Sequence, residues 1–149
     1  MIHVKKILYP TDFSSYSNQA YFHALALAEH HHAKLTILYV FVPGGKNDDA
    51  DREHWREQLE QIRPMNPDIP VNHVLLEGDP AAQIVRYAND AAMDLIVMGT
   101  HGRSGVERLL VGSVTERVMR EAPCSVMAVK LPRGLPPIQK PEVALSAGR

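Results

Sequence analysis

Short apolar runs recur along the chain at near-regular intervals, each followed by a proline or glycine. Lys6 to Tyr9 stops at Pro10, Leu35 to Val42 stops at Pro43-Gly44-Gly45, and Val71 to Leu76 ends shortly before Gly78. Leu95 to Met98 stops at Gly99, and Val126 to Val129 ends near Pro132. Runs of this length, rich in β-branched residues and bounded by breakers, predict β-strands. The second and fourth are apolar at nearly every position, the pattern of strands covered on both faces of a parallel sheet.

Between these runs the period becomes helical. Ala81, Ile84, Val85, Ala88, Ala91 and Ala92 follow one helix face, with Asp79 as N-cap and Pro80 at the tolerated first position. Ala20, Ala24, Leu27 and Ala28 form a stripe of small residues within a helix expected over Ser14 to His32, small enough to let it lie close to a sheet. Asp48 to Arg63 predicts a charged helix with Trp55, Leu59 and Ile62 on its buried side. Strict alternation of strand and helix implies a layered α/β domain with right-handed crossovers. Residues 1–131 form that single domain, and residues 132–149, with four prolines and no period, read as a flexible or partner-draped tail.

Composition narrows the function classes. A chain of 149 residues with 45% hydrophobic content suits one ordinary core. Sixteen Lys+Arg against 17 Asp+Glu give a formal charge of −1, which argues against a protein built to neutralise nucleic-acid phosphates or an anionic membrane. The balance is uneven along the chain, however. Gly99 to Arg120 holds four arginines against two glutamates, and Asp48 to Arg63 holds six acids against three arginines, which permits a small basic pocket around the former. The single cysteine, Cys124, excludes an intramolecular disulfide and fits a reducing compartment. No apolar run is long enough to cross a bilayer and no signal peptide is visible, so a cytoplasmic location is expected.

The chemistry concentrates after the fourth strand, where four of the nine glycines (Gly99, Gly102, Gly105, Gly112) fall close together. Ser113 followed by Glu116 reads as a capping box that opens a helix, whose first N–H groups and dipole make an anion site. Gly112 would let a phosphate approach the backbone, the Ser113 and Thr115 hydroxyls could donate to it, and Gly99 and Gly102 would let the loop curl. The alternative is a tight turn before an ordinary capped helix. Open parallel sheets bind ligands beyond the carboxyl ends of their strands, where strand order reverses. Asp12, just past the first strand, would then face the glycine loop and suit a ribose hydroxyl, or cap the following helix, or both.

These residues resemble the universal stress protein family over residues 1 to about 131. The resemblance rests on Tyr9-Pro10-Thr11-Asp12-Phe13-Ser14, the strand Leu35 to Val42, and Met98-Gly99-Thr100-His101-Gly102-Arg103-Ser104-Gly105. It rests above all on Gly99-x2-Gly102-x9-Gly112-Ser113, which fits the family's nucleotide signature, and on the closing Ala122-Pro123-Cys124-Ser125-Val126. It implies a three-layer Rossmann-like fold (adenine nucleotide alpha hydrolase-like), with a five-stranded parallel sheet in the order 3-2-1-4-5. The ATP-binding branch further implies adenine near Val40, with backbone contact at Met98. It implies ribose at Asp12 beside Pro10 and Thr11, and phosphates at Gly99, Gly102, Arg103, Gly112, Ser113 and Val114. Pairing of two copies through Ser125 to Lys130 is implied as well, and would cover an edge strand.

Other nucleotide chemistry is absent from the sequence. There is no G-x-x-x-x-G-K-[ST], no G-x-G-x-x-G, no S-G-G-x-D-S and no H-x-G-H motif. No catalytic or metal-ligating set emerges: His101 and Ser104 read as loop residues, and His30-His31-His32 as a frayed helix end rather than a metal site. Cys124 reads as an inert packed thiol, and Trp55 as core, with contact to a partner as the alternative. The expectation is an ATP-binding stress-response regulator or sensor, using Mg-ATP, with at most slow hydrolysis and an unknown protein partner. An adenine-nucleotide hydrolase or transferase and a nucleotide-free dimeric interaction module are the alternatives.

Overall fold

A computed structural model describes residues 3–101 and 111–131. Gly102, Arg103, the His101–Ser104 pair as such and the proline-containing tail of residues 132–149 lie outside the described residues.

Five strands, β1 (Lys6–Pro10), β2 (Lys34–Phe41), β3 (Val71–Glu77), β4 (Leu95–Gly99) and β5 (Ser125–Val129), alternate with α1 (Ser15–His31), α2 (Asp48–Glu60), α3 (Pro80–Asp90) and α4 (Ser113–Glu121). All strand pairings are parallel, in the order β3-β2-β1-β4-β5, as the alternating pattern and the resemblance predicted. Alternate side chains of each strand enter opposite cores. Ile7, Tyr9, Ile37, Tyr39 and Val97 pack with α1 and α2, whereas Leu8, Leu38, Val40, Ile96 and Met98 pack with α3 and α4. The first core is rich in aromatics and the second is aliphatic. The small-residue stripe lies where predicted: Ala20, Ala24 and Ala28 are buried.

Local chemistry explains most boundaries. Ser14 caps α1, its Oγ accepting the Ser17 N–H at 3.2 Å, and Asp79 caps α3 by accepting the Ala82 N–H at 2.9 Å, with Pro80 next. The α3 stripe overshoots the helix, because Ala91 is its C-cap and Ala92 turns left-handed at φ 52°. The helix predicted to Arg63 stops at Glu60, since Pro64 disfavours helical geometry at the residue before it; Ile62 is buried beyond the helix end. His32 closes α1 in a left-handed conformation, φ 53°, with its N–H directed at the Ala28 and Glu29 carbonyls. The histidine run is thus an ordered cap, not a frayed end.

The capping box does not form. Ser113 is the first residue of α4 and Gly112 holds the N-cap position in extended backbone, with no side-chain cap bond. Glu116 instead reaches Arg120 one turn on.

The sheet register opens the molecule at one point. β1 pairs with β2 from Lys6↔Lys34 through Pro10↔Leu38, but with β4 only at Ile7↔Leu95 and Leu8↔Ile96. Parallel-strand residues address their two neighbours alternately. Lys6 accepts from Asp94 at the start of β4, and Thr11 donates to Leu38 of β2, so position 10 faces β4. Proline has no N–H to offer there. The β1–β4 ladder ends, and the two strands part over the reversal of strand order.

Candidate functional site

A cleft of about 460 Å³ occupies this parting, at the carboxyl ends of the strands. That volume falls within the range of small-molecule sites. Pro10, Thr11, Leu38, Tyr39, Val40, Met98 and Gly99 form its floor. The N-terminal half of α2 supplies one wall (Asp48, Asp51, Trp55), and α3 and α4 supply Pro80, Ile84, Val114 and Thr115 on the other side. Seven residues singled out from the sequence, Pro10, Thr11, Asp12, Val40, Met98, Gly99 and Val114, border this one space. Gly112 and Ser113 stand beside Val114 at the start of α4 but do not border the cavity themselves.

The segment after β1 is tightly organised. Asp12 Oδ1 accepts the Ser14 N–H at 3.0 Å, so Asp12 turns the chain while lining the cleft, and Ser14 does the capping. The Thr11 hydroxyl oxygen accepts from the Phe13 N–H and the Ser17 hydroxyl, each at 3.0 Å. Tyr9 donates its hydroxyl to the Ser17 carbonyl at 2.7 Å, and burial raises its pKa well above the ordinary phenol value. Phe13 is left-handed, φ 63°, at a cost of order 1–3 kcal/mol for a bulky residue. Its ring packs against Tyr39 and stacks on Trp55, with centroids 5.0 Å away in each case and only 23° between the Phe13 and Trp55 planes.

Gly99 has a different reason for being glycine than the loop curl its sequence position suggests. Its φ is not left-handed; Gly44 and Gly78 are the left-handed glycines among the described residues. A Cβ on Gly99 would meet the Tyr16 backbone carbon and oxygen at 2.7 Å. Gly99 therefore lets the first turn of α1 rest on the end of β4, and the Tyr16 ring lies 5.0 Å from that of His101. Thr115 is likewise reassigned. It is buried and donates its hydroxyl to the Gly99 carbonyl at 2.7 Å, pinning α4 to β4 rather than serving as a free donor. The Gly112 N–H reaches the Thr100 carbonyl at 2.6 Å.

Of the four arginines that would make the cleft basic, Arg103 and Arg108 lie outside the described residues, and Arg117 and Arg120 do not line it. The cleft is bordered by three carboxylates, Asp12, Asp48 and Asp51, and by no lysine or arginine among the described residues. Asp48 accepts the Gly44 and Gly45 N–H groups, at 3.0 Å for Gly45, which fixes the entry to α2. Arg117 pairs with Asp79 at 2.8 Å and with Glu121, and Arg120 pairs with Glu116 and Glu121, all outside the cleft lining. Among the described residues, the N-termini of α2, α3 and α4 all meet the cleft, through Asp48, Pro80 and Val114; carboxylates already occupy the first two, at Asp48 and Asp79, which leaves the field of α4 for an anion. Cys124 is half-buried, and burial beside Asp94 pushes its thiol pKa up, which disfavours the reactive thiolate.

The sequence reading did not place α2 in the site. Asp48, Asp51 and Trp55 lie at i, i+3 and i+7, on the same stripe that continues to Leu59. The stripe is core at its C-terminal end and cleft wall at its N-terminal end. The change from apolar to acidic along one face was the available signal.

Residues 3–130 match the universal stress protein family. A universal stress protein of Methanocaldococcus jannaschii is 37% identical over 142 residues, covering 87% of this chain and 84% of that protein. UspA from Lactobacillus plantarum superposes with a TM-score of 0.78 at 28% identity, covering 87% of this chain and 99% of its own. The universal stress protein from Archaeoglobus fulgidus in complex with dAMP gives a TM-score of 0.68 at 21% identity, over 87% of this chain and 100% of its own, a likeness of fold. Among the described residues, no helix is long and apolar enough to cross a membrane. The chain belongs to the universal stress protein family.

Proposed function

We propose that this chain binds an adenine nucleotide, ATP with its magnesium, in the cleft between β1 and β4, and acts as a nucleotide-dependent regulator in stress response with at most slow hydrolysis. The observation that carries the reading is convergence: Pro10, Thr11, Asp12, Val40, Met98, Gly99 and Val114, drawn from four separate segments, border one cavity at the strand-order reversal. In this reading Asp12 accepts from the ribose, the floor at Val40 and Met98 supports the base, and the phosphates lie toward Gly112, Ser113 and Val114. The helix end and backbone N–H groups favour their charge there. Gly102 and Arg103 belong to the same reading through the signature spacing. A relative of the same fold in complex with dAMP makes an adenine nucleotide the ligand class to test first. Two copies would pair through β5, an edge strand whose central residues are half-exposed in the single chain.

Thermal unfolding with and without Mg-ATP tests the reading. A ligand present at about a hundred times its Kd stabilises the folded state by about 2.7 kcal/mol, so the midpoint should rise with ATP concentration. No rise at millimolar ATP would sink it. Release of ADP or AMP over many turnovers would move the assignment to an enzyme.

A further inference from the structure

Away from the cleft, apolar side chains gather at one further place. Of the four large hydrophobic residues that the described chain leaves exposed, two, Phe22 and the 90% exposed Met65, border the same groove. It runs between the flank of α1 and residues 63–69, the segment leading into β3, where Pro64 and Ile69 continue its apolar lining. Single exposed hydrophobics are ordinary, whereas a contiguous apolar patch marks a contact surface. The groove is braced: Asn66 Nδ2 donates to the Glu29 carboxylate at 2.7 Å, and Asn66 Oδ1 accepts the Asp68 N–H at 2.9 Å, so the segment is tied to α1. Its volume, about 240 Å³, falls below the ~300–1,000 Å³ of small-molecule sites and suits a few side chains of an extended segment. Tyr21 forms part of its floor, and the Tyr21 hydroxyl, sealed from solvent, has no hydrogen-bond partner among the described residues.

We propose that this groove is the docking site of the chain's own C-terminal segment, residues 135–145. The segment is apolar and proline-rich, with Leu135-Pro136-Pro137-Ile138 followed by Pro141, Val143 and Leu145. Proline-rich segments dock in aromatic-lined grooves at low ordering cost. A polyproline-type backbone also keeps its carbonyls free of internal partners, and these are the acceptors that the Tyr21 hydroxyl lacks. The charges match in sign. Glu29 and Arg63 border the groove, Arg63 donating to the Glu60 carbonyl and to no carboxylate among the described residues, while Lys140 and Glu142 stand on either side of Pro141. The reach is sufficient. The described chain ends at Leu131, just past β5, and Val129 of β5 shares a core with Ala20 and Ala24 of α1. One helix, about 10–12 Å wide, separates β5 from the groove, and ten residues at ~3.1 Å each span roughly 30 Å.

Solution NMR of the full chain with labelled methyl groups tests the docking, independently of the nucleotide reading. Nuclear Overhauser contacts should join the Met65 methyl to Ile138, Val143 or Leu145. Backbone order parameters of the non-proline residues in 135–145 should approach the rigid value of ~0.85. Phe22→Glu should release the segment, taking those order parameters below ~0.6. Met65→Asp should do the same, and at a position 90% exposed it removes no core packing, which guards against a folding defect in the first variant. Order parameters below ~0.6 throughout 135–145 in the parent chain, with no contact to Met65, would overturn the proposal. Order that persists unchanged in both variants would overturn it too. Contacts to Met65 seen only between differently labelled molecules would make the groove an interface between copies and would equally end the proposal.

Discussion

The two sides of the cleft are held by opposite means. On the β4–α4 side the contacts are backbone to backbone or buried: Tyr16 against Gly99, the Thr115 hydroxyl on the Gly99 carbonyl, the Gly112 N–H on the Thr100 carbonyl. On the α2 side Leu59 anchors the C-terminal half of the helix in the core, while the first turns beside the cleft are fastened near the surface. Arg52 grips Glu77 at the end of β3 at 2.7 Å and Asp49 at 2.9 Å, and lies over the Phe41 ring. Exposed ion pairs are weak and salt-screened, whereas a missing Cβ cannot be replaced by any rearrangement short of moving a helix. The first side is therefore fixed by close packing, and the first turns of α2 are held by the weaker kind of contact.

Substitutions can break this contrast, beginning with the most severe. Gly99→Ala should destabilise the fold by about 3 kcal/mol, the upper end for forced overpacking, and lower the melting midpoint by roughly 10 °C. A midpoint within a degree or two of the parent would show that α1 can lift off β4 without penalty. Gly112→Val is expected to act on ligand rather than fold. Gly112 sits at φ −69° and ψ 161°, open to any residue, so the variant should melt near the parent temperature. Blocking about two charge-assisted hydrogen bonds to phosphate, each worth ~1.5 kcal/mol, should reduce nucleotide affinity by roughly a hundredfold. Unchanged affinity would show that the phosphates lie elsewhere. Arg52→Ala should have the smallest effect. It should leave the melting midpoint nearly unaltered while shifting Trp55 emission, since it loosens the helix that carries the ring; a large drop in midpoint would contradict the reading of α2 as a surface-fastened wall.

What could be read from the sequence follows the same division. Periodicity and breakers located the five strands and the first three helices of the described residues, because apolar spacing and residues such as Pro10, Pro80 and Gly99 act locally. Glycine spacing pointed to the end of the sheet where the cleft opens, yet not to why each glycine is there. The need at Gly99 is a contact with Tyr16, far away in the chain. Thr115 looked like a ligand donor because nothing local reveals that a carbonyl waits beneath it. The Ser113–Glu116 box matched by spacing, but Gly112 took the cap position and Arg120 took the glutamate. Trp55 was read as core because its stripe is apolar toward Leu59, and only the folded arrangement shows its other end turning into the cleft.

Pro10, which parts β1 from β4, also decides what the cleft floor can bond to. A backbone amide at that row could have paired with β4 and closed the gap; the pyrrolidine ring puts methylenes there instead. The alternation that turns position 10 toward β4 also turns positions 40 and 98 toward β1, past the end of its pairing. The midline of the cleft therefore carries backbone donors and acceptors between the apolar side chains of Val40 and Met98. A flat ligand edge with its own donors and acceptors would gain most there, because it can pair with a main chain that the sheet leaves open.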